Sequence, residues 1–340
     1  EKQLASYKAK MPFGQFAKFF KNLWSAGAEK VFSPEQVDAI YYLGTKDSMK
    51  AHARVLDACQ RLQKIEDCEL DMKEKKGLDG ERWDHIYVMD KERDEVLKGL
   101  RKADDYYQLQ TEQGLPRMCS MEELEKLSDV FDTHWAILGG LDRASPVKRR
   151  TNARTILVAI AKGLIGSRSN PYLGDDENPK YVYVLLYLSN IENHSLETIK
   201  NEINEIEDEY DGIDMFCSET WGAWDLGAWF DEAGVDFELI NSTKQRQLAF
   251  FTEFYKIIDE GRFKSARVVV QGSRGGDIFE EEMKEFDHDP DKLWFGSPEK
   301  RAKYGVQDDS VYASAIAIYG GRFIGVDDFQ ERGKTESFGE

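Results

Sequence analysis

Between residues 136 and 188 three stretches with the composition of β-strands follow one another with no helical stretch between them, and beyond residue 190 strand-like and helix-like stretches alternate. The first runs from Ala136 to Leu141 and the second from Arg154 to Ala161. The third, Tyr181 to Leu188, is strongly β-branched and aromatic. Gly166 to Asn178 has the Gly/Asn/Pro/Asp make-up of a long turn. A helix follows with Leu196, Ile199, Ile203 and Ile206 on one face. The pattern then predicts strand 213–218, helix 222–233, strand 235–240, helix 243–260, strand 266–271 and a helix beginning near Asp277. Strands joined without a helix pair antiparallel, whereas alternation demands parallel strands and crossover helices. The expectation is an α/β fold: a mixed sheet flanked by helices on both faces.

The preceding part reads differently. Residues 1–130 are expected to form a mainly helical region, 131–330 the sheet-containing domain, and 331–340 a flexible tail. Ser33-Pro34-Glu35-Gln36 is a helix start, with Ser as N-cap, Pro at the first helical position and Gln at the capping-box position; Ser120 to Glu123 repeats it. Lys46 to Lys76 carries Val55, Leu56, Cys59, Leu62 and Ile65 at helical spacing, with its charges on a solvated face. Gly77–Gly80 and Gln113–Pro116 read as loops.

A chain of 340 residues has room for two domains, and 41% hydrophobic content suffices for a core. No apolar run approaches the ~20 residues of a membrane helix. The first residue is Glu, with no Met and no signal-peptide pattern, which suggests a piece of something longer. The formal net charge of −18 argues against a general nucleic-acid coat, since non-specific affinity comes from neutralised phosphates. It leaves room for a local basic patch. Cys59, Cys68, Cys119 and Cys217 show no CxxC spacing and read as free thiols in a reducing compartment. The five histidines are scattered, which argues against His-rich metal chemistry.

Three acidic positions stand at strand ends or helix starts. Asp142 closes Ala136–Leu141, Glu219 closes Ile213–Ser218, and Asp308-Asp309 opens the apolar stretch Val311–Ile318. Each alone reads as a turn or cap residue; Asp308-Asp309 suits a helix N-terminus. Together, carboxylates that converge repel one another unless a cation lies between them. Hard divalent cations take oxygen ligands, and a pair of them suits phosphodiester hydrolysis.

Several segments then resemble one known family, the large terminase subunit of tailed bacteriophages, in its C-terminal nuclease domain of ribonuclease-H-like fold. Met11–Phe16 with Phe19–Trp24 is similar to the segment following that family's ATPase core. Gly140-Leu141-Asp142-Arg143-Ala144 is similar to its first catalytic strand, and Glu219-Thr220-Trp221-Gly222-Ala223 to its acidic-x-Trp-Gly-Ala turn. Leu293–Pro298 followed by Asp308-Asp309-Ser310-Val311-Tyr312-Ala313 is similar to its closing pattern. The resemblance covers about 131–325. It departs at Tyr312, where a third Asp is common, and at Thr151–Arg154, where an accessory Asp is often found. The stretch 35–130 has no counterpart in the family pattern.

The resemblance implies a metal-dependent endonuclease that cuts double-stranded phage DNA during genome packaging. Asp142 would bridge two Mg²⁺ or Mn²⁺ ions about 4 Å apart, Glu219 would bind one and Asp309 the other, with Asp308 as an alternative to Asp309. It also implies the portal protein and the small terminase subunit as partners and the host cytoplasm as location. No G-x-x-x-x-G-K-[ST] occurs, so ATP is not expected to bind; Gln271–Gly276 reads as a strand-to-helix turn. For DNA phosphates the candidates are Lys148, Arg149, Arg150 and Arg154, extended by Lys162 and Arg168, and Lys244 with Arg246; Arg262, Lys264 and Arg267 form a further group. Trp221, Trp224 and Trp229 fit a buried helix face better than base stacking. Two other readings stay open: a junction resolvase or transposase-type nuclease of the same fold, and a catalytically inert docking module.

Overall fold

The computed structural model describes residues 29–41, 116–144, 154–168, 179–191, 195–223, 225–266, 277–289, 294–298 and 305–329. The expectations on Met11–Trp24, Lys46–Lys76, Gly77–Gly80, Lys148–Arg150, Arg267, Gln271–Gly276 and the tail 331–340 lie outside the described residues, as do the side chains of Trp221 and Trp224.

Six strands make the central sheet: β2 (Trp135–Asp142), β3 (Thr155–Leu164), β4 (Tyr181–Ile191), β5 (Met215–Glu219), β6 (Phe237–Ile240) and β7 (Phe263–Ser265). Their spatial order is β6-β5-β2-β3-β4-β7. The β2–β3 and β3–β4 pairs are antiparallel, while β5 lies parallel to β2, β6 to β5 and β7 to β4. A three-strand meander extended on its first strand by parallel crossovers is the ribonuclease-H-like order. β3 is buried along its whole length and β4 over most of it, because helices cover both faces.

One layer is helix α3 (Leu196–Tyr210), which buries Ile199, Ile203, Ile206 and Tyr210 and begins at the Ser195 cap. Its Tyr210 hydroxyl donates to the Cys119 and Leu186 carbonyls at 2.7 and 3.1 Å. The other layer is built around α8 (Asp309–Gly320), where nearly every residue is buried and no polar face exists. α8 sits on Gly140 so closely that a Cβ there would overlap the Ala313 carbonyl oxygen, with the Ala317 methyl 2.8 Å away. Glycine is required at 140 by this approach of two backbones. Alongside α8 runs α6 (Lys244–Asp259), whose Phe250 and Phe251 rings meet Tyr312 in T-shaped pairs.

Between these elements lie α4 (Thr220–Ala223), α5 (Gly227–Ala233) and α7 (Ile278–Glu285). The expected strand 266–271 is corrected to β7 at Phe263–Ser265, with 267–271 outside the described residues. The charged Arg262 and Lys264 hid it: Lys264 is buried in the strand, its Nζ donating to the Ala39 carbonyl at 3.1 Å.

A second sheet was not foreseen. β1 (Glu29–Lys30), β8 (Asp287–Asp289) and β9 (Trp294–Gly296) pair antiparallel in the order β1-β8-β9. Helices α1 (Pro34–Ile40) and α2 (Met121–Phe131) both start with the expected capping boxes at Ser33 and Ser120. Phe32, Val37, Ile40, Met118, Leu124 and Leu127 from these segments enter the same core as the central sheet. Cys119 and Cys217 are buried free thiols, and among the described residues no helix is long and apolar enough to cross a membrane.

Candidate metal centre

Register brings two of the predicted acids together. The β2–β5 pairing ends at Leu141↔Ser218, so the next residues, Asp142 and Glu219, terminate adjacent parallel strands that lie about 4.8 Å apart. Both strand ends point the same way, at the place where chain connections diverge to either side of β2, the usual location of ligand sites in open α/β sheets. Side chains two apart share a face. Gly140 faces α8, and so does Cys217, whose sulfur would overlap a Cβ on Gly320. Asp142 and Glu219 therefore stand on the α8 side, half-buried.

The third position arrives through α8. Ala313 sits over Gly140, so Asp309, one turn earlier, begins the helix beside the strand ends. Asp308 and Asp309 are only 2% and 3% exposed, unlike Asp142 and Glu219, so the two pairs differ in access to solvent. Asp308 occupies the N-cap position but its side chain makes no capping bond; Oδ2 instead accepts from the Ser297 amide at 3.1 Å, tying α8 to the end of β9. Asp309 Oδ2 accepts from the Arg154 amide at 3.0 Å.

Tyr312 lies in the field of all four. Burial first, then the charges of Asp308, Glu219, Asp142 and Asp309, hold its phenol well above the usual range. The hydroxyl donates to the Phe295 carbonyl at 3.3 Å. The residue that departs from the family pattern thus stands among the four carboxylates.

Another acid escaped the sequence reading. Glu282 on α7 is fully buried, and burial together with the Asp309 charge pushes it up to about 8, against the lowering effect of Ser310 and Arg154. The signal was present: Ile278, Phe279, Glu282 and Met283 form the buried stripe of α7.

The donor set is carboxylate oxygen throughout, which fits a hard divalent cation such as Mg²⁺ or Mn²⁺ in kind. Among the described residues no three His, Cys, Asp or Glu side chains are arranged as a group that could hold an ion. Asp309 and Asp308 are turned to backbone amides, and a shared cation would draw on the same oxygens.

The basic candidates separate. Lys148–Arg150 lie outside the described residues; the nearest described residues on either side meet at the acidic edge, where the Ala144 amide donates to Thr155 Oγ1 at 3.1 Å. Arg154 also lies there, with its Nη1 paired to Glu282 Oε1 at 3.1 Å. Lys244 and Arg246 are exposed at the start of α6, which follows β6 on the same edge. Lys162 and Arg168 are corrected: β3 runs antiparallel to β2 and carries both to the opposite end. Lys162 is buried, its Nζ donating to the Gly321 and Ile324 carbonyls, and Arg168 pairs with Asp129. Arg262 and Lys264 are corrected likewise: Arg262 holds Glu260 and the Tyr181 carbonyl, and Lys264 is interior.

No family model and no curated protein sequence matches the chain. Solved structures do. The large terminase nuclease of thermophilic phage G20c is 10% identical with a TM-score of 0.37, covering 55% of this chain and 82% of that one. The large terminase nuclease domain of Thermus phage P74-26 is 10% identical with a TM-score of 0.36, covering 54% and 78%. The large terminase of bacteriophage HK97 is 12% identical with a TM-score of 0.37, covering 55% of this chain and 39% of its own length. The G20c nuclease is also known with bound magnesium and with bound zinc. The chain is similar to these nuclease domains in fold; its ribonuclease-H-like assignment stands on the strand order itself.

Proposed function

We propose that this chain is a divalent-metal-dependent endonuclease that cuts double-stranded DNA during phage genome packaging. The observation that supports this reading is the shared edge: Asp142 and Glu219 end adjacent parallel strands on the face where Asp308 and Asp309 open α8. In this reading Asp142, Glu219 and Asp309 would hold the ions, with Asp308 able to replace Asp309. Bound there, such ions would supply an activated water and charge stabilisation at the leaving 3′-oxygen.

The chain's own residues do the rest. Asp142 and Glu219 are half-buried and so open to solvent and phosphate, while Asp309 is buried at the start of α8. Tyr312 keeps its proton at neutral pH, because burial and four carboxylates hold the phenol neutral, and so serves as a hydrogen-bond donor. Lys148, Arg149 and Arg150, between β2 and β3 in the sequence, with Lys244 at the start of α6, are assigned to DNA phosphates flanking the cut. Arg154 acts on the carboxylates through its pairing with Glu282. The portal protein, the small terminase subunit and the host cytoplasm complete the proposal.

The test is incubation with supercoiled plasmid and Mn²⁺ or Mg²⁺, in wild type and Asp142→Asn. The expected result is nicking and linearisation by wild type, abolished by chelation and in the variant. A wild type that leaves the plasmid intact at every metal concentration would overturn the reading.

A further inference from the structure

One buried acid outside the proposed ligands is engaged on both of its oxygens. Glu282 Oε2 accepts from the Ser310 amide at 2.7 Å and from Ser310 Oγ at 2.5 Å. Its Oε1 accepts from Arg154 Nη1 at 3.1 Å. The Arg154 amide in turn donates to Asp309 Oδ2. The first amides of a helix lack intrahelical partners, and the N-cap side chain usually supplies one. Here Asp308 is drawn away to Ser297, and a carboxylate from α7 takes the Ser310 amide instead. Asp309 is thereby held from two sides: its own helix turn is fixed through Ser310, and the amide that grips its carboxylate belongs to a residue whose guanidinium is fixed on the same glutamate. A carboxyl that meets three donors on its two oxygens in a dry site is a directional constraint.

We propose that Glu282 is a positioning residue for Asp309: through Ser310 and Arg154 it sets the direction in which the Asp309 carboxylate meets a divalent cation. This rests on the metal-centre reading above. Groups behind a metal ligand fix its orientation, and their loss typically weakens metal binding about 10–100-fold.

Glu282→Gln tests it. The glutamine keeps the shape but brings an NH₂ toward donors, so one arm of the network opens. Mn²⁺ affinity by titration calorimetry is expected to fall about 10–100-fold, with an unchanged far-UV circular dichroism spectrum. Plasmid cutting by Glu282→Gln returns toward the wild-type maximum as Mn²⁺ is raised, whereas that of Asp309→Asn does not. Arg154→Met, which leaves the amide bond to Asp309 in place, weakens Mn²⁺ binding in the same direction, and adding it to Glu282→Gln costs little more. Should Glu282→Gln fail to fold, Arg154→Met alone decides: unchanged Mn²⁺ affinity in the folded variant overturns the inference. Wild-type binding with equal binding by Glu282→Gln overturns the positioning role and leaves the nuclease reading intact. A wild type that binds no Mn²⁺ overturns both.

Discussion

At one end of the central sheet the buried charges are carboxylates held by amide N–H groups; toward the other they are ammonium groups held by carbonyl oxygens. Asp308, Asp309 and Glu282 take the amides of Ser297, Arg154 and Ser310 around the N-terminus of α8. Lys162 takes the Gly321 and Ile324 carbonyls just past the same helix's C-terminus, and Lys264 takes Ala39 near the end of α1. Both arrangements suit the helix dipole. They differ in what surrounds the charge. Lys264 meets the Ala39 carbonyl, and Lys162 lies 3.8 Å from the Tyr181 ring centre within the field of the Glu253 and Asp328 carboxylates. The acids stand among one another: Asp309 raises Glu282, and four of them raise Tyr312. A cation-holding end is complete with its carbonyls, whereas a crowded anionic end is relieved by a cation from solution.

The sharpest way to break this contrast is to remove charge at the acidic end. Asp142→Asn or Glu219→Gln is expected to abolish cutting by about a thousandfold, the equivalent of several kcal/mol of transition-state stabilisation, without lowering Tm in metal-free buffer. A fall in both would make those carboxylates structural. Next, Gly140→Val should lift α8 off β2 and lower stability by about 3 kcal/mol or more in a denaturant titration, since the new side chain meets backbone. It should weaken Mn²⁺ binding as well, because α8 carries Asp309.

Removing charge at the other end should change stability and spare activity. Burial lowers Lys162 and Lys264 to about 8. Between pH 8 and 10 the unfolded chain then binds more protons than the folded one, so stability rises with pH by on the order of 3 kcal/mol per lysine. Above pH 10 the buried tyrosines with raised pKa, such as Tyr183, oppose this. Lys264→Met should flatten its share of the rise in thermal melts from pH 8 to 10. The smallest effect is expected of Lys244→Ala: a few-fold weaker DNA binding, with the logarithmic salt slope reduced by about 0.9.

How much of this was legible follows from element length. β2, β3, β4 and α3 have eight or more residues each, long enough for apolar runs and 3.6-residue periodicity to speak, and the caps at Ser33, Ser120 and Asp277 were readable from residue type. β1, β8 and β9 have two or three residues, too few for a period, and Asp287-His288-Asp289 has the composition of a loop. That Asp142 and Glu219 end neighbouring strands and Asp309 opens a helix was legible because strand ends and helix starts are topological facts. Glu282 follows Glu280 and Glu281, so residue type does not set it apart; only its place on the Ile278–Phe279–Met283 stripe marks it as interior. Lys162 was misread for the opposite reason: a lone lysine in an apolar strand looks like a surface handle, yet it ends under a helix terminus.

The pairing of β1 with β8 sets a schedule for synthesis. Glu29 is matched to His288, so an early segment waits for some 259 further residues before its partner exists. At about 5–20 residues per second on the ribosome that is roughly 13–50 s. For most of that interval Phe32 has no Phe254, Tyr255 or Phe286 to lie against. A nascent chain of this kind exposes a sticky aromatic handle early and hides it late.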